Sequence, residues 1–142
     1  MTKSQIFKPA HKITMSNEKI TFENVKGEGI YLDIDGEEAA VLNYALLSDN
    51  PTSPVYQIEL VEVEEEFRGR GFYKMLLHAF FSFNTNAVLN SNDRNEKSNA
   101  IYRKWCDFSL EKEQEVNIIL KDEAFIFQAI DEDGDFIFEK NV

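Results

Sequence analysis

Apolar and polar residues alternate along Val55 to Val63 (VYQIELVEV), placing Gln57, Glu59, Val61 and Val63 on one side of an extended strand and Ile58, Leu60 and Glu62 on the other. The alternation stops at the acidic run Glu64 to Glu66, and the loop Arg68-Gly69-Arg70-Gly71 comes next. From there the apolar residues fall at Phe72, Met75, Leu76, Ala79, Phe80 and Phe83, a helical spacing that predicts an amphipathic helix with one buried face. The stretch from Val55 to Leu77 thus reads as strand, glycine loop and helix in direct succession.

Other elements arrange themselves around this one. Residues from Met1 to about Lys12 are polar, with Pro9, and predict a loosely docked tail in which His11 is a surface residue. Two β-prone patches come after it, around Ile13 and around Ile20 to Phe22, with Asn17 as a turn between them and Gly27 and Gly29 as punctuation. Ile30 to Asp35 and Ala39 to Leu47 read as a hairpin turning at Asp35-Gly36. The second arm, AAVLNYALL, has helical propensity too, but the turn before it and the Pro-containing loop after it favour strand. Ala87 to Ser91 predicts a short strand. Asp93, with Glu96 three residues on, predicts a capped helix from about Arg94 to Cys106 whose stripe is Ser98, Ile101, Trp105 and Phe108. Val116 to Ala129, in whole or part, and Asp135 to Glu139 read as strands around the turn Asp131-Glu132-Asp133-Gly134. The chain therefore predicts two main helices and about six strands in a single domain, residues 1–142, without repeats or linkers.

Composition narrows what such a domain does. The 142 residues are 43% hydrophobic and include 12 Phe, enough for a core and against disorder. No run approaches the roughly 18 apolar residues of a membrane span, and MTKSQIFKPAHK lacks the apolar core of a signal peptide, so a cytoplasmic protein without membrane partners is expected. The single cysteine, Cys106, excludes an internal disulfide and a multi-cysteine zinc site; a buried small side chain suits it better than a nucleophile. The DEDGD segment lacks the Glu that would close a calcium loop, so no metal is expected. A net charge of −11 opposes binding to nucleic-acid backbones and favours cationic substrates.

The glycine loop is where chemistry enters. A helix start presents backbone N–H groups without intrahelical partners and the positive end of the helix dipole, so it attracts anions and can bind phosphate. Gly71 can take positive φ without penalty and let successive amides turn inward, with Arg68 and Arg70 adding charge at the rim. A glycine in a strand-to-helix turn also serves ordinary sharp turns.

Together with the helix that ends near Phe108, the loop resembles the cofactor-binding part of the GNAT family of N-acetyltransferases. That family's loop reads Gln or Arg, two residues, Gly, one residue, then Gly or Ala; here Arg68, Gly71 and Tyr73 fill those places, Tyr73 departing from the small residue. Asn95, Tyr102 and Phe108 fall at the spacing of the family's second motif, in NEKSNAIYRKWCDF, with Cys106-Asp107 departing from it before the Phe. The resemblance covers Val55 to Phe108. It implies an α/β (α+β) fold, a mixed, mostly antiparallel twisted sheet of about six to seven strands with two main helices, and an acetyl-CoA-dependent N-acetyltransferase acting on a primary amine. It implies that Val61, Val63, Arg68, Gly69, Arg70, Gly71, Phe72, Tyr73, Asn95 and Tyr102 hold acetyl-CoA. It further implies that the Val63 amide stabilises the oxyanion, that Tyr102 protonates the departing thiol and that Glu59 is the base, in preference to Gln57, which cannot accept a proton. Tyr73 still offers its amide to the pyrophosphate if its ring points outward. The N-terminal part is too short and too β-rich for the two helices that come after the family's first strand, which implies an open, minimal member. Two other readings stay open: a degenerate domain that holds CoA or a protein partner, and, on charge alone, an acidic DNA mimic. Pairing of edge strands in the Phe-rich C-terminal hairpin leaves a homodimer open as well.

Overall fold

The computed structural model describes the backbone of residues 5–7 and all of residues 18–26 and 28–142; the patch around Ile13, together with His11, Asn17 and Gly27, lies outside them. Among the described residues there are nine strands and two α-helices: β1 Gln5–Phe7, β2 Ile20–Val25, β3 Gly29–Ile34, β4 Glu37–Ser48, β5 Val55–Val63, α1 Phe72–Phe83, β6 Val88–Ser91, α2 Glu96–Cys106, β7 Glu115–Lys121, β8 Ala124–Ile130 and β9 Phe136–Asn141. The fold is α+β. The strand count exceeds the six to seven expected, for two physical reasons. β1 lies where a tail was expected and pairs antiparallel with β2. The run from Val116 to Ala129 is not one strand but two, β7 and β8, which turn at Asp122-Glu123 with φ of 53° and 65°.

The chain forms two compact units, residues 1–45 with 59–85 and residues 46–58 with 86–142, and β5 runs through both. In the first unit β1 to β4 pair antiparallel in sequence order. The β3–β4 hairpin turns at Asp35 and Gly36, both with positive φ (52° and 86°), the combination a two-residue type I′ turn requires. AAVLNYALL is therefore strand, within β4. Gly29 is needed for a different reason: a Cβ there would lie 2.4 Å from the Leu42 carbonyl oxygen, so only glycine lets β3 come this close to β4. Helix α1 packs on β3 and buries Phe72, Tyr73, Met75, Leu76, Leu77, Ala79, Phe80 and Phe81, a broader face than the predicted stripe. Phe80 is fully buried and meets Tyr44 edge-on at 5.0 Å, while the Tyr44 hydroxyl donates to Asn24 Oδ1 at 2.9 Å.

The second unit is built on a parallel pair. β5 runs beside β6 over Val55–Gln57 and Val88–Asn90, and β6, β7, β8 and β9 then pair antiparallel in order. Helix α2 begins at Glu96, two residues later than predicted, because Asn95 and not Asp93 is the N-cap: its Oδ1 accepts from the Ser98 amide at 2.8 Å. The buried stripe is Asn99, Tyr102 and Cys106, one residue out of phase with the predicted Ser98, Ile101, Trp105 and Phe108. Each residue turns the helix by about 100°, so this offset carries Tyr102 into the core; Phe108 lies beyond the left-handed C-cap Asp107 and is 36% exposed. The DEDGD segment is a hairpin turn, closed by Asp131 Oδ1 accepting from the amides of Asp133 and Asp135.

Candidate functional site

The first unit gathers most of the predicted cofactor residues. Val61 and Val63 are half-buried near the end of β5, Glu59 is exposed, and no residue of β5 is fully buried. A short 3-10 turn, Glu65–Phe67, then leads into the glycine loop. Gly69 and Gly71 both have left-handed backbone, φ 78° and 80°, and a Cβ on either would meet no heavy atom within 4 Å. Open space at two left-handed glycines is the geometry that lets a ligand approach the chain closely. Gly71 is the N-cap of α1, and the first turn of that helix carries no acidic residue. Helix α2 is the contrast, since it has the Asn95 side chain on its amides and Glu96 in its first turn. Of the two helix starts, the first is the one whose amides and dipole favour an external anion.

The two arginines of the loop are both engaged with neighbouring groups. Arg68 is exposed, but its Nε donates to the Val63 carbonyl at 2.9 Å, tying the loop to the strand before it. Arg70 pairs with Glu18 and lies over the rings of Phe67 and Phe72, at 5.7 and 5.3 Å from their centroids. Phe72 and Tyr73 are both buried, so they serve the core of the first unit through their side chains and can serve a ligand only through backbone. The Tyr73 ring does not point outward; it is 8% exposed, which takes it off the solvent side of the helix start.

An acidic collar borders this loop. Burial, with Asp33, Glu64 and Glu62 nearby, raises the pKa of Glu38, and the charge of Glu37 raises that of Glu66. Among the described residues no group of three or more His, Cys, Asp or Glu is placed to hold a metal.

Asn95 and Tyr102 belong to the second unit. Asn95 is exposed and engaged as the cap of α2. Tyr102 is wholly buried, its ring edge-on to Phe127 at 5.4 Å and tilted against Trp105 at 5.9 Å, with the Arg94 guanidinium 4.8 Å above it. The sequence pattern does not single out Arg94, which is 6% exposed and donates to Asn99 Oδ1, the Ser91 carbonyl and hydroxyl, and the carbonyls of Glu111 and Gln114. Five N–H groups and five acceptors match, so the buried cation is fully hydrogen-bonded and locks the end of β6 to α2 and the loop before β7. Its only signal in the sequence is an arginine beside a helix cap, a position that solvent-exposed arginines share.

Cys106 is 3% exposed, and burial pushes its thiol up to about 11, which suits packing and not nucleophilic chemistry. A groove of about 370 Å³ lies at the end of α2, lined by Arg103, Lys104, Asp107, Phe108 and Ser109; none of these was predicted to touch a ligand except that Phe108 closes the second motif. Among the described residues no helix is long and apolar enough to cross a membrane. Compared with protein-family models, curated proteins and solved structures, the chain matches none.

Proposed function

We propose that the chain is an acetyl-CoA-dependent N-acetyltransferase acting on a cationic primary amine. The observation that carries this reading is the left-handed pair Gly69 and Gly71, opening onto free space at an α1 start that has no carboxylate in its first turn. The amides from Gly71 to Lys74 would meet the pyrophosphate of the cofactor, and Val63, whose carbonyl Arg68 already holds, would offer its amide to the thioester oxygen. Acetyl-CoA brings an activated acyl group. That group would be open to attack by the amine once it has given up its ammonium proton, and Glu59 or water would take the further proton shed by the nitrogen as the thiolate leaves. In this reading the buried Tyr102 serves packing, and a thiol of ordinary pKa, about 8.5, leaves readily enough to take its proton from solvent.

The same burial favours a second reading, a domain that keeps CoA affinity and has lost transfer. Both readings require binding. Thermal unfolding with acetyl-CoA at about 100 times its dissociation constant should gain about 2.7 kcal/mol of stability, and no shift at millimolar acetyl-CoA removes both. If binding is found, release of free thiol from acetyl-CoA in the presence of a panel of amines separates them: amine-dependent release supports transfer, and binding without release supports the degenerate domain.

A further inference from the structure

We propose that Asn90, Asn117 and Glu115, in the second unit, form a subsite for an alkylammonium group. Gln57, Asn90 and Asn117 stand opposite one another on β5, β6 and β7, and directly opposed residues share a face of a sheet. Glu115 lies two residues before Asn117 on the same strand and therefore on the same face. The opposite face, with Leu89, Val116, Ile118 and Phe127, is apolar and fully buried. A row of four polar side chains across three adjacent strands is costly to place in a sheet for packing alone.

The row is built around Asn90, which is 1% exposed. Its Nδ2 donates to Glu115 Oε1 at 2.7 Å and to Asn117 Oδ1 at 2.8 Å, and these two acceptors fix the orientation of the amide. Its Oδ1 is buried and has no hydrogen-bond partner among the described residues. Buried polar atoms are paired as a rule, so an orphaned acceptor held in place by two bonds on its other side marks a position for a donor. Gln57 donates one N–H of its Nε2 to Asn92 Oδ1 at 3.1 Å, and its Oε1 adds a second acceptor to the row. The one charged member is a carboxylate. The nearby buried cation, Arg94, has all of its N–H groups engaged elsewhere.

The orphaned Asn90 oxygen, the Gln57 oxygen and the Glu115 carboxylate, which has no ion pair among the described residues, describe a complement that is positive and rich in donors, and a primary ammonium with three N–H groups fits it. Glu115, Asn117 and Gln57 are half-buried, so the row reaches the surface through them with Asn90 as its floor. The cluster is an ammonium subsite of the second unit in its own right and does not rest on the function proposed above.

The test uses the full chain without acetyl-CoA, titrated with butylammonium chloride at 150 mM salt and followed by the side-chain amide signals of Asn90 and Asn117 in nitrogen-edited NMR. Saturable shifts at these two side chains are expected. Glu115→Gln should weaken the response at least tenfold, while Glu113→Gln, an exposed carboxylate removed from the same segment with the same change in charge, should leave it intact. Tetramethylammonium, a cation without N–H donors, should produce no comparable shift. Equal responses to the two cations, equal losses in the two variants, or no shift up to 50 mM butylammonium would each overturn the subsite. Failure of acetyl-CoA to bind would remove the transferase and leave this result untouched.

Discussion

At the scale of single residues the glycines separate two kinds of constraint. Gly71 has room for a side chain but a left-handed backbone; Gly29 has an ordinary backbone and no room. Gly71→Ala should therefore cost the conformational penalty alone, about 1–2 kcal/mol by chemical denaturation, and should weaken any anion bound at the loop. Gly29→Ala must move β3 against the Leu42 carbonyl and should cost more than that. Cys106 gives a prediction with a definite sign. Its folded pKa, about 11, lies above the thiol's ordinary 9.0, so the folded state holds the thiol proton more tightly than the unfolded chain does. That contribution is fully present below about pH 9 and is lost as pH rises through 11; urea midpoints measured from pH 8 to 11 should fall more steeply for the native protein than for Cys106→Ala. The native thiol should also resist alkylation at pH 8 until the chain is unfolded.

Elements show how far the amino-acid order can be read. Asp35-Gly36 announces its hairpin because a left-handed position is occupied by glycine, and the strand assignment of AAVLNYALL rests on it. Asp122-Glu123 makes the same kind of turn between Lys121 and Ala124 without glycine, and so β7 and β8 read as one strand. The double replacement Asp122→Asn with Glu123→Gly supplies the residues that positive φ favours, and should stabilise the protein by about 1 kcal/mol, seen as a higher denaturation midpoint with an unchanged slope. The glycine loop was legible for the same reason as the first hairpin. The roles of Arg68 and Arg70 were not, because Val63 lies five residues from Arg68 and Glu18 lies 52 from Arg70, and no local pattern encodes such partners. Helix α2 was placed almost correctly but rotated by one residue, since Asn99 reads as polar and is buried only through its bonds to Arg94 and to the Leu110 carbonyl. That rotation decides the fate of Tyr102.

For the whole molecule the dominant fact is acidity, and in the first unit it acts against the fold it belongs to. Glu38 is raised by burial and by Asp33, Glu64 and Glu62, and Glu66 by Glu37, so these carboxylates are held in a field of like charge at neutral pH. A carboxyl whose folded pKa exceeds its unfolded value binds its proton more tightly when folded; its favourable contribution is present below the unfolded value near 4.5 and is lost as pH rises through the raised folded value. At pH 7 the cluster is therefore a net liability, relieved by acid, by salt or by removing one charge. Exposure screens much of it, so the effect per residue is modest. Glu38→Gln should raise the melting temperature at pH 7 and low salt, with the gain shrinking at 0.5 M NaCl and shrinking again as pH falls toward 4.5. A gain that persisted unchanged at high salt would instead trace to relief of burial alone. Because the collar adjoins the glycine loop in sequence, the same substitution should strengthen binding of an anion there, and comparing acetyl-CoA affinity in the two proteins at low and high salt would show whether the collar's charge reaches the loop.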